Sequence, residues 1–466
     1  MRTYIPKVLE RMFHEEPALK RAFLVGGCVR DWLCSMPIKD IDIEVFDIGY
    51  ADLVRALSRW GRADLVGKSF GVVKLVLDGE ILDFSLPRRD SKIGAGHKGF
   101  DVVVDPTLTL LEASSRRDFT INSMSWDPRT DQVIDLHGGQ SDLNHRILRH
   151  TSSAFVEDPL RVLRGMQFAA RLDLIPAQET VELCRQIRDS YHELPKDRIR
   201  EEWLKWASKS IRPSRGLQFL ERTGWIDHFP ELKSMLGVIQ DLEWHPEGDV
   251  WTHTLHALDA LVDLEAWKSG HDAERIVWSF SVLLHDIGKS RTTSQELRDG
   301  RMRVVSPGHE VVSGELAQEF LERIDLPNDF RERIVPLVVN HMAHLDDPTP
   351  RAVRRLANRL CPASVQDLTT LMTADASGRP PLPRRVPLGA EKILARATEL
   401  QVLEEAPRPI LMGRHLQELG VPPGRAMGRI LQEAFEAQLD GAFEDRESAI
   451  QWISERLPRP SQSPQP

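Results

Sequence analysis

Two short segments near the N-terminus limit what this chain can fold into more than any other part of its sequence. Residues 26–31 have the sequence GGCVRD and follow the apolar run Phe23 to Val25. Residues 39–44 have the sequence KDIDIE, in which acidic and apolar side chains alternate. Alternation with a period of two is typical of a β-strand with one buried face, so Asp40 and Asp42 are predicted to share the other face.

The paired aspartates of the second segment indicate a divalent cation. Two carboxylates side by side on a strand repel each other, and a cation between them removes that repulsion. Gly26 and Gly27 allow the backbone to approach a phosphate, and the start of the following helix offers N–H groups to it. A metal, a phosphate cradle and paired carboxylates together predict nucleotidyl transfer. Taken alone, each segment is more typical of a turn or a surface strand.

Length and charge narrow the class of protein. A chain of 466 residues is expected to contain several domains, because single cores rarely grow beyond about 250–300 residues. The formal net charge of −9 excludes a uniformly basic coat for nucleic acid. Contact with RNA must therefore come from local patches, such as the basic residues of 146–171 and 196–215, for which a solvated helix face is the alternative.

Targeting signals and cysteine usage predict the compartment. The first 20 residues are charged and lack the apolar segment of a secretory signal. The longest apolar run, near Ile276 to Leu284, is too short to cross a bilayer, which takes about 20 residues. Four scattered cysteines without a CxxC pair favour free thiols in a reducing compartment. We therefore expect a cytoplasmic protein that has no membrane partner.

Strand signals are confined to roughly the first 150 residues. Val72 to Leu77 and Ile81 to Leu86 are predicted to form a hairpin around the Asp78-Gly79 turn, and Asp83 falls in its second strand. The polar segment 88–99 contains several glycines and is predicted to be a mobile loop. Helical periodicity dominates the rest of the chain, which predicts an α/β head followed by helical modules.

A third motif, RRDFTIN at residues 116–122, places two arginines beside an aspartate. Arg116 and Arg117 can grip a triphosphate or a ribose while Asp118 orients them. The alternative is the salt-bridged start of a helix, with Asp118 as its cap.

A fourth motif, EDPLRVLR at residues 157–164, begins a helix, because Asp158 is followed by proline. Helical spacing places Asp158, Arg161 and Arg164 in one polar stripe. Such a stripe either forms salt bridges within the helix or presents paired donors and acceptors to the Watson–Crick edge of a nucleotide.

These motifs, together with DLHGGQSDL at residues 135–143, occur in an order that resembles the class II CCA-adding tRNA nucleotidyltransferases of bacteria, within the poly(A) polymerase superfamily. The resemblance is dense over roughly residues 20 to 215. It implies a nucleotidyltransferase head followed by a helical neck, body and tail, with tRNA, CTP and ATP as partners.

The resemblance also implies roles for individual residues. Mg²⁺-dependent two-metal catalysis is implied for Asp40 and Asp42, and strand position makes Asp83 a candidate third carboxylate. The candidate nucleotide-binding residues are Gly26, Gly27, Arg30, Lys39, Arg116, Arg117, Asp118 and Asn122 for triphosphate and ribose, and Asp158, Arg161 and Arg164 as the protein template for CTP or ATP.

A second set of residues, in the middle of the chain, has ligands that suit divalent metals. In chain order the set contains His253, His285, Asp286, His309, His341 and Asp375. A lone helical histidine is usually structural, and His256 and His344 are interpreted so. The set resembles the HD superfamily of metal-dependent phosphohydrolases. It implies one metal at His253, His285, Asp286 and Asp375, and permits a second with His309 and His341. Mg²⁺, Mn²⁺, Ni²⁺ and Fe²⁺ are the candidate ions.

The predicted fold is an α/β nucleotidyltransferase head with a mixed sheet, followed by an all-α neck, body, HD domain and tail. The predicted boundaries are 1–145 for the head, 146–242 for the neck and body, 243–386 for the HD domain, 387–457 for the tail and 458–466 for a disordered end. Within the tail, residues 412–424 resemble the tRNA-gripping segment of the family, with a helical bundle that makes no RNA contact as the alternative.

The predicted function is template-independent addition of CCA to tRNA 3′ ends, combined with phosphatase or 2′,3′-cyclic phosphodiesterase activity of the HD domain. A CC-adding, A-adding or poly(A)-polymerising enzyme of the same superfamily is the first alternative. An HD phosphohydrolase whose head only binds RNA is an alternative of another class. The sequence leaves the oligomeric state open.

Overall fold

The computed structural model describes residues 1–38, 40–67, 71–77, 79–92, 100–298, 300–343 and 347–457. The chain divides into two compact units, Met1–Phe229 and Pro230–Pro466. Lys39, Asp78, His344 and the end 458–466, on which predictions were made above, lie outside the described residues.

The first unit combines a mixed sheet with helices. Its strands are β1 (Ala22–Val25), β2 (Asp42–Val45), β3 (Arg62–Gly67), β4 (Val72–Leu77), β5 (Glu80–Ser85), β6 (Arg88–Lys92), β7 (Phe100–Val104), β8 (Ser125–Asp127), β9 (Gln132–Ile134), β10 (Ile147–Leu148) and β11 (Ile175–Pro176). Its helices are α1 (Lys7–Glu15), α2 (Gly27–Leu33), α3 (Tyr50–Leu57), α4 (Leu110–Ser115), α5 (Gly139–Asn144), α6 (Leu160–Leu172), α7 (Gln178–Gln186), α8 (Lys196–Lys209) and α9 (Pro213–Thr223).

The main sheet of the described residues has the strand order β3-β4-β5-β2-β1-β8-β9. Strands β2 and β5 are parallel, whereas the other neighbours are antiparallel, so the sheet is mixed as predicted. Ile43 and Val45 of β2 are fully buried in the apolar core, while Asp42 is exposed. The parallel pairing sets Asp42 beside Asp83. The predicted exposure holds for Asp42, Ile43 and Val45, but Glu44 is also buried, so exposure does not alternate over the whole strand, and Asp40 precedes it.

The segment predicted as a mobile loop, residues 88–99, begins as a strand, which corrects the prediction. Strand β6 pairs with β7 in antiparallel register, Arg88 opposite Val104. The polar sequence of β6 has no apolar pattern of its own, and backbone pairing with the apolar β7 fixes its conformation. Residues 93–99 lie outside the described part. The hairpin of β4 and β5 is confirmed.

Helices α6, α8 and α9 form the helical part of the first unit and pack on one another. A Cβ on Gly165 of α6 would lie 2.6 Å from the ring of Phe219 on α9, so only glycine permits this approach. Phe119 packs edge-on against both Phe155 and Phe168. This aromatic contact fixes the start of α6 against the RRDFTIN motif.

The second unit is mainly helical. Its helices are α10 (Pro230–Lys233), α11 (Val250–Leu261), α12 (Glu265–Ser269), α13 (Asp272–Leu284), α14 (Lys289–Thr292), α15 (His309–Arg323), α16 (Asn328–Asn340), α17 (Pro350–Leu360), α18 (Val365–Ser377), α19 (Leu388–Glu399), α20 (Gly413–Glu418), α21 (Arg425–Leu439) and α22 (Arg446–Ser454). Helix α11 packs on α13 and α18, and α13 packs on α15 and α16. Within the described residues, no helix is both long and apolar enough to cross a bilayer.

The middle of the second unit also contains a hairpin, which corrects the expectation of an all-α domain. Strands β12 (Ser294–Arg298) and β13 (Arg301–Val305) pair in antiparallel register. Gly300 has a φ of +73°, which suits glycine in the connecting turn. The strands are short and largely exposed. The first has a single apolar residue, Leu297, and the alternation in the second covers only Arg301 to Val304, too little to predict a hairpin.

The C-terminal helices α20 to α22 enclose their own apolar cluster, which includes Leu416, Ala434 and Phe443. Helix α19 packs instead on α17 and α18. The predicted tail start at residue 387 is therefore one helix earlier than this cluster, and the domain boundaries stay predictions.

Candidate active sites

A cleft of about 950 Å³ in the first unit brings the four N-terminal motifs together. The cleft is lined by every described residue that was predicted to bind nucleotide: Gly26, Gly27, Arg30, Arg116, Arg117, Asp118, Asn122, Asp158, Arg161 and Arg164. Asp42 also faces the cleft, whereas Asp40 and Asp83 are not among its lining residues. Basic side chains outnumber acidic ones along its walls, although the chain as a whole is acidic. Such a cleft suits a polyphosphate ligand.

The strand carboxylates at the cleft act on one another electrostatically. Desolvation by the surrounding protein raises the pKa of Asp42, and the positive charge of Arg117 lowers it. The negative charges of Asp83 and Asp40 raise it again, so the pKa of Asp42 is above its ordinary value. Lys74 Nζ lies 3.1 Å from Oδ2 of Asp83, while Oδ1 of Asp83 is buried without a hydrogen-bond partner among the described residues. Mutual repulsion and an unsatisfied carboxylate oxygen both fit a bound divalent cation.

Gly26 makes the turn between β1 and α2 possible. Its φ of +76° is unfavourable for other residues, and a Cβ there would lie 2.8 Å from Nη1 of Arg117. Arg117 Nη2 in turn lies 3.4 Å from Oε2 of Glu44 on β2. The glycine thus leaves room for an arginine at the wall of the cleft.

Asp118 is buried and orients Arg164, an arginine of the fourth motif, while its role at the ribose stays a prediction. Its Oδ2 accepts from Nε of Arg164 at 2.7 Å, and its Oδ1 accepts from Nδ2 of Asn122 at 2.9 Å. Burial raises the pKa of Asp118, but Arg164 and the hydrogen bonds lower it below its ordinary value. Arg30 donates to Oδ1 of Asn122 and stacks 5.0 Å from the ring of Phe168. These contacts set two arginines along the cleft.

Asp158 and Arg161 are fixed by backbone contacts at the start of α6. Oδ1 of Asp158 accepts from the N–H of Leu160, the first residue of α6, at 3.0 Å. Arg161 donates from Nη1 to the carbonyl of Ala154 at 2.7 Å and from Nη2 to that of Arg116 at 2.8 Å. A carboxylate and a guanidinium are thus held in defined orientations at one wall of the cleft.

The cleft also contains residues that the motifs did not single out as nucleotide contacts. Gln167 and Arg171 continue the stripe of Arg164 along α6, at helical spacings of three and four residues. Oε1 of Gln167 is buried and has no hydrogen-bond partner in the described structure. Arg198 and Lys205 of α8 also line the cleft. Extending the helical spacing beyond the fourth motif would have predicted Gln167, whereas α8 approaches only through the fold.

The second site lies in the second unit, where all six predicted metal ligands of the HD pattern converge in two groups. In the first group, Nε2 of His253 lies 3.0 Å from Oδ1 of Asp375, and Nε2 of His285 lies 3.9 Å from the same oxygen. In the second group, Nε2 of His309 lies 3.2 Å from Nε2 of His341 and 3.2 Å from Oδ1 of Asp286.

Asp286 lies between the two groups. Its other oxygen, Oδ2, is 3.3 Å from Nε2 of His285 and 3.8 Å from that of His253. One carboxylate therefore faces histidines of both groups. A residue in this position is suited to bridge two metal ions.

Hydrogen bonds set the protonation of three histidines. Nδ1 of His285 lies 2.8 Å from the carbonyl oxygen of Val282, and Nδ1 of His309 lies 2.8 Å from that of Ser306. Nδ1 of His341 lies 2.6 Å from the carbonyl oxygen of Val338. A carbonyl only accepts, so each Nδ1 carries a proton, and in the neutral imidazole the lone pair is on Nε2. Nε2 of His285 and of His253 is buried without a hydrogen-bond partner in the described structure. Converging lone pairs of this kind fit a metal cation.

The two ligand carboxylates are kept ionised, although Asp286 is buried and Asp375 is mostly shielded from solvent. Burial raises the pKa of Asp286, but His285 and Lys289 hold it well below its usual range. Arg379 has the same effect on the pKa of Asp375, with Nη2 2.7 Å from Oδ1. His256, interpreted as structural, is exposed. The sequence did not predict the contacts of Lys289, Arg379 and the buried Glu247.

Comparisons with known proteins identify a family for each of the two regions that contain these sites. Residues 22–149 match the Poly A polymerase head domain family and residues 250–375 match the HD domain family. The chain is 33% identical over 371 residues to the multifunctional CCA protein of Vibrio parahaemolyticus, covering 77% of this chain and 86% of the relative. It is 35% identical over 371 residues to that of Xanthomonas campestris pv. campestris, covering 77% and 85%.

Solved structures share the fold. The crystal structure of the Bacillus stearothermophilus CCA-adding enzyme in complex with CTP has a TM-score of 0.62 and 20% identity, covering 97% of this chain and 98% of that one. The Thermotoga maritima CCA-adding enzyme complexed with tRNA has a TM-score of 0.58 and 19% identity, covering 97% and 96%. The fold, the order of the motifs and the relatives agree. This chain belongs to the bacterial class II CCA-adding enzymes that contain an HD domain, the family of the multifunctional CCA proteins.

Proposed function

We propose that the first unit adds CCA to tRNA 3′ ends from CTP and ATP without a nucleic-acid template. One observation carries the proposal: a single basic cleft contains both Asp42, from the strand predicted to bind metal, and the predicted template residues, Asp158 just before α6 and Arg161 within it. The relatives are named for CCA addition, and a structural neighbour was solved with CTP. The substrates are cytoplasmic, so the proposal places the enzyme in the cytoplasm.

The strand carboxylates and the arginines have separate tasks in this proposal. Asp40, Asp42 and Asp83 would hold Mg²⁺, which lowers the pKa of the tRNA 3′-hydroxyl and stabilises the departing pyrophosphate. The Gly26-Gly27 turn and Arg117 hold the triphosphate near these carboxylates. Lys39, predicted to assist there, lies outside the described residues.

Selection of the base is assigned to α6. A guanidinium presents paired donors and a carboxylate presents acceptors, so Arg161 and Asp158 can recognise the Watson–Crick edges of cytosine and adenine. Backbone carbonyls already hold Arg161, which limits its rotamers and favours discrimination. Arg164, held by Asp118, assists from the next turn of the helix.

Addition to defined tRNA ends tests the transferase. Transcripts that lack CCA, CA or A are incubated with CTP, ATP or both, and we expect completion to CCA in each case. Products that stop at CC, or a long A tail, would support the narrower alternatives. Asp42→Asn should abolish addition, whereas Asp47→Asn, which changes an exposed partner of Arg21, should not.

For the second unit we propose metal-dependent phosphohydrolase activity, as a phosphatase or a 2′,3′-cyclic phosphodiesterase acting on RNA ends or nucleotides. The converging Nε2 lone pairs and the buried carboxylates support this activity, with Mg²⁺, Mn²⁺, Ni²⁺ or Fe²⁺ as the candidate ions. Asp286→Ala should abolish hydrolysis of 2′,3′-cyclic AMP while leaving CCA addition intact. Full hydrolysis by this variant would refute the assignment. Unchanged addition by Asp40→Ala would favour an HD enzyme whose head only binds RNA.

A further inference from the structure

A carboxylate that belongs to no predicted site lies behind the HD metal ligands. The side chain of Glu247, in the segment before α11, is fully buried. Its Oε1 is 2.6 Å from Nδ1 of His253 and 2.9 Å from Nδ1 of His245. An ionised carboxylate only accepts, so Nδ1 of His253 donates and its Nε2 is left to face Asp375.

This contact sets His253 apart from the other ligand histidines. His285, His309 and His341 donate from Nδ1 to neutral backbone carbonyls. His253 donates to a full negative charge, which makes its hydrogen bond stronger and its Nε2 more basic. One ligand of the centre is thus electronically different from the rest.

The segment that contains Glu247 is braced against the metal centre. Asp249 caps α11 and accepts from the Gly237 N–H at 2.7 Å, which closes the segment into a loop. From the same segment, Oε1 of Gln240 accepts from Nζ of Lys289 at 2.8 Å. Lys289 in turn donates to Oδ2 of Asp286 at 2.7 Å. The segment therefore contacts His253 directly and Asp286 through Lys289.

We propose that Glu247 is a positioning residue of the HD metal centre, which fixes the ring of His253 and strengthens its Nε2 as a metal ligand. The inference deepens the proposed hydrolase function, because it specifies how that site holds its metal. His245 shares the same carboxylate oxygen and completes a His–Glu–His array with a single acceptor at its centre.

Binding of Co²⁺ to the full chain tests this role without recourse to activity. Glu247→Gln keeps the shape of the side chain but removes its charge, and we expect Co²⁺ affinity at the HD site to fall about 10- to 100-fold. The visible absorption of bound Co²⁺ should change as well. Glu243→Gln is the matched control, since Glu243 lies in the same segment but pairs with Arg303 and is exposed. The signal measured for Asp286→Asn is subtracted from that of each other protein, which removes the contribution of any Co²⁺ bound by the head.

The outcomes separate this inference from the function on which it rests. If the wild-type chain binds no Co²⁺ beyond the Asp286→Asn reference, the metal site itself is refuted. If wild type binds and Glu247→Gln matches it in affinity and spectrum, only the role of Glu247 is refuted. Circular dichroism of the metal-free variants checks folding. Should Glu247→Gln fail to fold, Glu247→Asp replaces it. Its carboxylate is one methylene shorter and cannot keep the 2.6 Å contact, so weaker binding is again expected.

Discussion

Arg164 donates from Nε to Oδ2 of Asp118 over 2.7 Å, and this ion pair joins the RRDFTIN motif to helix α6. Asp118 is only 6% exposed, so loss of its charge leaves a guanidinium without its counter-ion in a poorly hydrated place. We expect Asp118→Asn to lower the free energy of unfolding by about 1–3 kcal/mol, typical of a lost charged hydrogen bond, and to raise KM for CTP and ATP. Urea unfolding and steady-state kinetics measure the two effects. Asp52→Asn, which alters an exposed pair with Arg55, should change neither.

The same pair predicts a dependence on pH. The pKa of Asp118 is lowered in the folded protein, so its stabilising contribution is complete above the pKa of the unfolded chain, about 3.9. The contribution is lost as the pH falls through the lower, folded pKa, while Arg164 stays charged. The difference in unfolding free energy between wild type and Asp118→Asn should therefore be constant from pH 8 to 5 and shrink in stronger acid. A difference that grows towards acid would contradict the prediction.

Substitution of Gly26 by alanine is expected to weaken nucleotide binding, and backbone strain alone does not explain that effect. Both Gly26 and Gly79 have positive φ, but a Cβ on Gly79 meets no atom of the described structure within 4 Å, whereas one on Gly26 meets Arg117. Each Gly→Ala variant should lose about 1 kcal/mol of stability from backbone strain. Only Gly26→Ala should also raise KM for CTP, because Arg117 must move. Equal KM values for the two variants would contradict this role of Arg117.

The anchoring of Arg161 predicts a defect of selection. Arg161→Lys keeps the charge but loses the planar fork that two carbonyls hold, so we expect incorporation of UMP and GMP to rise relative to CMP and AMP. Competition assays with mixed nucleotides measure the ratio. The matched control is Arg185→Lys, since Arg185 also donates twice to a backbone carbonyl, that of Arg222, but is absent from the cleft lining. Unchanged selectivity in Arg161→Lys would place base recognition elsewhere.

Local patterns predicted the parts of the site that lie close together in the chain. The motif around Asp42 correctly predicted a strand, and the Asp-Pro pair correctly predicted the start of the helix that contains Arg161 and Arg164. Asp158 was expected to share their helical stripe, but α6 begins at Leu160 and the backbone of Asp158 is extended. Pairings between distant segments were not accessible in this way. Asp83 meets Asp42 because β5 inserts beside β2 in parallel, and nothing in either strand specifies that register.

Contacts between individual side chains could not be predicted from local sequence patterns either. Asp118 and Arg164 were both predicted to bind nucleotide, yet their mutual contact depends on α6 packing against the RRDFTIN motif. Glu247 precedes His253 by six residues, a spacing that no regular helix or strand brings into contact, so the carboxylate meets the ring only through the loop before α11. The hairpin of β12 and β13 was missed because β12 has one apolar residue and the alternation in β13 covers only four residues.

Three of the HD histidines share a feature that makes the centre modular. His285, His309 and His341 each donate to the carbonyl exactly three residues earlier in the chain. A tetrapeptide that ends in histidine thus contains both a ligand and the group that orients it, whatever residues surround it. Because the acceptor is a backbone carbonyl, this bond does not depend on the side chain three residues earlier, and transplanting such tetrapeptides onto other helix ends is a practical route to new metal sites.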